Sequence, residues 1–90
     1  MPKLKNIHPG EILSEEFLAP LGITADRLCQ DTGITPSRIS EIINGARGLN
    51  GGTALRLARY FGTTPGFWLN LQTAYDLEEI QRKEGKAINA

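Results

Sequence analysis

The segment from Thr35 to Arg47 carries side chains whose types and spacing suit hydrogen bonding to nucleic acid. A threonine followed by a proline favours a helix start here, because threonine caps free N–H groups and proline fits the first turn. Short polar residues then recur at i, i+3, i+4 and i+7, opposite an apolar face with the same spacing. The polar positions are Ser37, Ser40, Glu41 and Asn44, the apolar ones are Ile39, Ile42, Ile43 and Ala46, and the flanking arginines are Arg38 and Arg47.

A helix with this polar face fits the major groove of DNA. The groove admits a helix whose facing side chains are slim or can hydrogen-bond to base edges. Arginines at the margins of the face can bond phosphates in a bidentate manner, which fixes the register of the helix. The alternative interpretation is an ordinary amphipathic helix whose polar face is simply solvated.

The elements around this segment are predicted to be helices, since no stretch alternates with the period of two that a strand requires. Capping residues, terminal glycines and Pro20 divide the chain into five helices, so the predicted fold is all-α. We predict helix one over residues 9–18, ended by Pro20; helix two from the N-cap Thr24 to Gly33; helix three from Thr35 to Gly45; helix four from the N-cap Thr53 to Gly62; and helix five over residues 65–83. Residues 1–7 and 84–90 are expected to be loosely held ends.

Residues 25–44 have the pattern of a helix-turn-helix. Twenty residues form a helix, a glycine turn at Gly33 and a second helix, with the small Cys29 where the two helices would cross. Ile34, Ile39 and Ile42 supply the apolar residues of the inner faces. This coincidence favours DNA binding over the solvated-helix interpretation, and we expect a single helix-turn-helix domain over residues 1–90.

Composition limits the other functions. The 90-residue chain has no net charge, but residues 24–60 hold five arginines against three carboxylates. The segment that contains the predicted helix-turn-helix is therefore mildly basic. One cysteine and one histidine are too few for an internal disulfide or an ordinary zinc site. No catalytic spacing, membrane-length apolar run or secretory signal occurs, so we expect a cytoplasmic protein that is no enzyme and needs no metal or cofactor.

The chain resembles the phage-repressor (Cro/Xre) class of helix-turn-helix domains and, within it, the HigA family of antitoxins from bacterial toxin–antitoxin modules. The likeness covers about residues 7–80, and its matching blocks are residues 8–13, 36–39, 41–42, 44–45, 53–62 and 67–72. The resemblance implies a five-helix fold and a protein that silences a small endoribonuclease toxin. It also implies a homodimer that represses its own operon on palindromic operator DNA, with recognition helices about 34 Å apart.

The repressor class also implies roles for the residues at matching positions. Phosphate or sugar contacts are expected from Thr35, Arg38, Asn44 and Arg47. Base edges are expected to meet Ser37 and Glu41, with Ser40 nearby, while Pro36 touches a thymine methyl group. Glu41 would accept a hydrogen bond from a cytosine amino group. The alternative is a salt bridge to Arg38 or Arg47, of which only Arg38 is well placed on a helix.

One departure from the family pattern lies between the third and fourth helices. Residues 49–52 end in two adjacent glycines, Gly51 and Gly52, where a stiffer and more polar approach is expected. We therefore expect a loosened loop beside the DNA face, whose ordering on binding would cost affinity.

Two further surfaces are candidates for protein partners. On helix five, Trp68, Leu71 and Tyr75 recur at i, i+3 and i+7, and we assign them to a dimer interface, with Leu71 on its inner side and Phe67 in the core. The alternative is that they pack under helices one and four. Acidic edges that could attract a basic toxin are formed by Glu11, Glu15 and Glu16 and by Asp76, Glu78 and Glu79, unless they are only solvated faces.

Two rival functions remain open from the sequence. The first is a solitary helix-turn-helix regulator without a toxin. The second is a protein-binding module that reuses the fold, which the zero net charge favours. Arg38, Asn44 and Arg47 on one face disfavour that second rival.

Overall fold

The computed structural model describes residues 5–88, with side chains described as far as Glu84, and these residues form five helices and no strand. The predicted all-α, five-helix class is therefore confirmed. The helices are α1, a continuous helix made of Pro9–Ile12, the π-helical Leu13–Leu18 and Ala19–Leu21; α2, Ala25–Thr32; α3, Pro36–Ile43; α4, Gly51–Phe61; and α5, Pro65–Ile88. Residues 84–88, expected to be loose, continue α5; the same expectation for residues 1–4 and 89–90 lies outside the described residues.

Most helix ends follow the sequence signals. Thr24, Thr35 and Thr64 each accept a hydrogen bond from the backbone N–H three residues later, as an N-cap does. At the other ends, the glycines have positive φ, which a residue without Cβ adopts at little cost. These caps confirm the predicted starts of α2, α3 and α5 and the turn at Gly33.

The first helix is longer than predicted, because Pro20 does not end it. The backbone N–H of Ala19 donates to the carbonyl of Ser14, five residues back, so the turn before the proline is wider than an α-helical one. A wider turn accommodates a ring that would crowd the carbonyl of a regular α-helix. The helix therefore continues to Leu21 and ends at Gly22, where φ is 66°.

The start of the fourth helix was also predicted wrongly. Asn50, not Thr53, is the N-cap: its side-chain oxygen accepts from the N–H of Thr53 at 2.9 Å. Asparagine caps helices as well as threonine does. Thr53 lies inside the helix, and only 3% of its surface is exposed. Gly51 and Gly52 consequently form the first turn of α4, so they do not belong to the loop in which the sequence placed them.

The core draws on all five helices, and its largest member is Trp68. This side chain has no exposed surface, contacts the rings of Phe17 and Phe61, and donates its indole N–H to Thr63 Oγ1 at 2.8 Å. A side chain already enclosed by its own chain cannot line a dimer interface, so that assignment of Trp68 is wrong. Phe67, expected in the core, is 38% exposed.

The first turn of α1 packs against the last turn of α3 at very short range. A Cβ at Gly10 would lie within 3 Å of Ile42 backbone atoms, and Gly10 is itself buried. Only glycine allows this approach, because the obstructing atoms belong to a helix backbone that cannot rotate away. The beginning of the chain therefore fixes the end of α3.

Gly10→Ala should lower the free energy of unfolding by roughly 2–4 kcal/mol, because one helix backbone must shift. The matched control is Gly66→Ala, where the added methyl would meet only Thr64 Oγ1 at 3.9 Å. That control should leave stability unchanged or raise it by about 0.4–1 kcal/mol. Urea unfolding measures both, and equal midpoints for the two variants would contradict the close packing of α1 on α3.

Candidate nucleic-acid interface

Helices α2 and α3 are joined by a short turn that their own side chains hold. Thr32 Oγ1 donates to the carbonyl of Leu28 at 2.7 Å and accepts from the N–H of Ile34 at 3.2 Å. Ile34 is buried in the core, and Gly33 takes the left-handed conformation with φ of 77°. The turn is thus held by the hydrogen bonds of Thr32 and by the burial of Ile34 in the core.

The third helix has the two faces that the sequence predicts. Ile39 and Ile42 have no exposed surface, while Ser37, Ser40 and Asn44 are exposed on the other side. Ala46, expected on the inner face, is exposed, because α3 ends at Ile43 and the chain then turns. The buried isoleucines hold the polar face outward.

Glu41 pairs with Arg47 rather than with Arg38. The Arg47 Nε donates to Glu41 Oε2 at 3.2 Å, and the N–H groups of Ala46 and Arg47 both donate to the Glu41 carbonyl. Arg47 comes within reach because the chain turns after Ile43, whereas on a continuous helix it would be poorly placed. Both side chains of the pair are more than 40% exposed, so the pair contributes little stability and can open for another partner.

The structure brings all the predicted DNA-contacting residues together on one surface. They extend from the N-cap of α3 to the turn after it, and none belongs to the buried core. Arg38 and Glu41 are half-buried, and the other members are exposed: Thr35, Pro36, Ser37, Ser40, Asn44 and Arg47. Their spatial proximity is compatible with the roles predicted for them.

One arginine beside this surface was not assigned from the sequence. Arg56 of α4 lines a cleft that also contains Thr35, Arg38 and Asn50, so α3 and α4 begin at the same cleft. Its guanidinium donates to the carbonyl of Thr32 at 2.6 Å, at the C-terminal end of α2. Arg56 was counted in the basic segment of the sequence, but only the packing of α4 on α2 places it here.

Electrostatic contacts also tie α2 to α4. Asp31 accepts from Arg27 Nε at 2.8 Å and from the Tyr60 hydroxyl at 2.7 Å. The hydrogen bond from Arg27 lowers the pKa of Asp31, and the bond to Asp31 raises the pKa of Tyr60. At the other end of the domain, burial lowers the pKa of His8, whose Nδ1 caps α1 by accepting from the N–H of Gly10.

Residues 5–88 contain no cluster of three or more histidine, cysteine or acidic side chains that could hold a metal ion. None of the helices described there combines the length and apolarity needed to cross a membrane.

Similarity to known proteins defines the class to which this chain belongs. A family model described as "Helix-turn-helix" matches residues 15–68, more than half of the chain, so fold and candidate interface define a helix-turn-helix protein. Virulence-associated protein I of Dichelobacter nodosus is 51% identical over 83 residues, which cover 92% of this chain and 76% of that protein. Antitoxin HigA-1 of Vibrio cholerae is 40% identical over 81 residues, covering 90% of this chain and 76% of that protein.

A solved structure agrees. The Pseudomonas aeruginosa antitoxin HigA, solved with the higBA promoter, superposes with a TM-score of 0.90 at 38% identity, covering 93% of this chain and 91% of that one. The chain belongs to the HigA antitoxin family of helix-turn-helix proteins. The resemblance found in the sequence is thereby confirmed.

Proposed function

We propose that this protein is an antitoxin that represses its own operon by binding operator DNA through α3. The observation that carries the proposal is the two-faced α3: Ile39 and Ile42 are fully buried, while Ser37 and Ser40 are exposed on the opposite side, with Arg38 half-buried beside them. A HigA relative solved with promoter DNA supports it. The proposed activity is binding alone, without a catalytic step, and it takes place in the cytoplasm, where the operator is.

The proposed DNA contacts are of two kinds: contacts to the backbone, which orient α3, and contacts to the bases, which give sequence specificity. Thr35, Arg38, Asn44 and Arg47 bond phosphates or sugars and orient α3 in the major groove. The remaining contacts are to bases: Ser37, Ser40 and Glu41 meet base edges, and Pro36 meets a thymine methyl group. For Glu41 this requires the exposed ion pair with Arg47 to open, which releases the arginine for a phosphate and the carboxylate for a cytosine amino group.

A second copy of the chain is proposed to pack against the outer face of α5. Leu77 and Ile80 are 59% and 46% exposed and lie one turn apart, whereas Leu71 packs against the core. Tyr75 also has an internal partner, since its ring meets His8 edge-on with centroids 4.8 Å apart. The proposed interface therefore centres on Leu77 and Ile80, and Leu71 and Tyr75 lie towards its inner side.

The toxin is proposed to be a small, basic endoribonuclease that approaches the acidic edge of α1. Glu15 and Glu16 are exposed and form no ion pair with the described residues, whereas Glu11 pairs with Lys5. The three acidic residues of the edge on α5 already have partners: Asp76 accepts from Gln72, Glu79 from Asn6, and Glu78 pairs with Arg82. Glu15 and Glu16 therefore keep carboxylate oxygens that no described residue binds, and a basic partner can pair with them.

Arg38→Ala should weaken binding to every DNA sequence and reduce the salt dependence, because a phosphate contact is lost. Glu41→Ala should instead relax specificity at one base pair, by about 1–3 kcal/mol. Fluorescence anisotropy on promoter and scrambled duplexes at two salt concentrations separates these effects. Arg59→Ala, an exposed arginine of α4 outside the proposed interface, is the matched control. Unchanged titrations for Arg38→Ala would show that the DNA face is assigned wrongly.

Leu77→Glu should convert the dimer to a monomer and lower operator affinity, because a carboxylate would be buried in the proposed apolar interface. Light scattering on the purified protein measures the oligomeric state. Leu21→Glu carries the same change at a residue 60% exposed at the end of α1, and it should remain dimeric. A dimeric Leu77→Glu variant would exclude this face of α5.

Expression of the neighbouring small open reading frame alone should inhibit growth. Co-expression of this protein should restore growth, and the two proteins should purify together. Glu15→Lys/Glu16→Lys should weaken that complex. Asp26→Lys/Glu84→Lys makes the same change in net charge elsewhere and should leave the complex intact. Toxicity that persists beside the wild-type protein would contradict the antitoxin proposal; rescue by both double variants would contradict only the α1 edge.

A further inference from the structure

One side chain of α5 reaches the loop that follows the recognition helix α3. Gln72 Oε1 accepts a hydrogen bond from the backbone N–H of Leu49 at 2.8 Å. The same amide donates through Nε2 to Asp76 Oδ1 at 2.8 Å, one turn further along α5. Asp76 therefore fixes which way the amide faces, and the amide oxygen is directed at the loop.

The loop is shaped around this amide. A Cβ at Gly48 would lie 2.9–3.0 Å from the amide atoms of Gln72, so the backbone approaches the amide as closely as a glycine allows. Leu49 is 7% exposed and packs in the core, and Asn50 begins α4 as its N-cap. Arg47, proposed to bond a phosphate, directly precedes this fixed stretch.

We propose that Gln72 is a positioning residue for DNA binding, which holds the loop carrying Arg47 in its binding geometry without touching DNA. The inference rests on the proposed DNA-binding function. The part-buried N–H of Leu49 would lose its acceptor if Gln72 were shortened, and the backbone beside Arg47 would sample other conformations. Those conformations would have to be ordered again on DNA, which costs affinity.

A purely structural role for Gln72 makes a different prediction. Loss of packing would lower the unfolding midpoint but leave the folded protein with its normal DNA affinity. Loss of positioning lowers the affinity of the folded protein for its promoter and reduces its preference over a scrambled duplex, at a temperature where all variants are folded. Affinity of the folded state is therefore the informative readout.

The test uses the full chain and a duplex containing the promoter region upstream of its own gene. Gln72→Ala should bind this duplex about tenfold more weakly than the wild type. Gly48→Ala should have a similar effect, because its methyl group displaces the amide, which is the mobile end of a long side chain. Gly66→Ala, a glycine in the first turn of α5, should bind like the wild type.

A polarity exchange supplies the rescue. In Gln72→Glu/Asp76→Asn the introduced carboxylate still accepts from Leu49, and the introduced amide donates to that carboxylate, so both hydrogen bonds are retained. The affinity of this double variant for the promoter duplex should be within about threefold of the wild type. Gln72→Glu alone places a carboxylate beside that of Asp76, so this single variant should bind the duplex more weakly than the wild type.

The outcomes separate the inference from the function on which it rests. A wild-type protein that does not prefer the promoter over the scrambled duplex would contradict the proposed function itself. If the wild type prefers its promoter and Gln72→Ala and Gly48→Ala bind within twofold of it, Gln72 does not position the loop. A folded double variant without rescue would likewise overturn the role of the amide.

Discussion

The burial of Ile39 and Ile42 is the constraint on which the rest of the structure depends. Both side chains have no exposed surface, so α3 cannot rotate without exposing apolar groups to water. The polar side of the helix is therefore fixed outward. Other elements reinforce this orientation: Gly10 brings α1 against the carbonyl of Ile42, and the turn at Gly33 sets the angle from α2.

The long helix α5 serves three regions of the molecule with different residues. Trp68 closes the core, Gln72 contacts the loop beside the proposed DNA surface, and Leu77 and Ile80 are exposed where a second copy is proposed to pack. If Gln72 positions the loop as proposed, a displacement of α5 would move the backbone beside Arg47 through the hydrogen bond to Leu49. This arrangement gives a physical route by which subunit pairing and DNA binding would influence each other.

The sequence predicted what local chemistry determines. The threonine caps of α2, α3 and α5, the glycine turn at Gly33 and the isoleucine spacing of α3 need only neighbours along the chain, and the structure confirms them. The errors arose where alternatives were decided by tertiary packing or backbone path. Pro20 fits inside α1 because of a wider turn, and Asn50 displaces Thr53 as a cap because Thr53 is drawn into the core. The partner of Glu41 and the burial of Trp68 likewise depend on where the chain turns and which rings meet.

The most direct test of the account is a hydroxyl-radical footprint of this protein on the promoter region upstream of its gene. A dimer that places two copies of α3 in successive major grooves should protect two segments on one face of the duplex. Their centres should lie about 10–10.5 base pairs apart, within a pseudo-palindromic sequence. A single protected segment, or uniform weak protection without sequence preference, would contradict the claim that paired α3 helices read operator DNA.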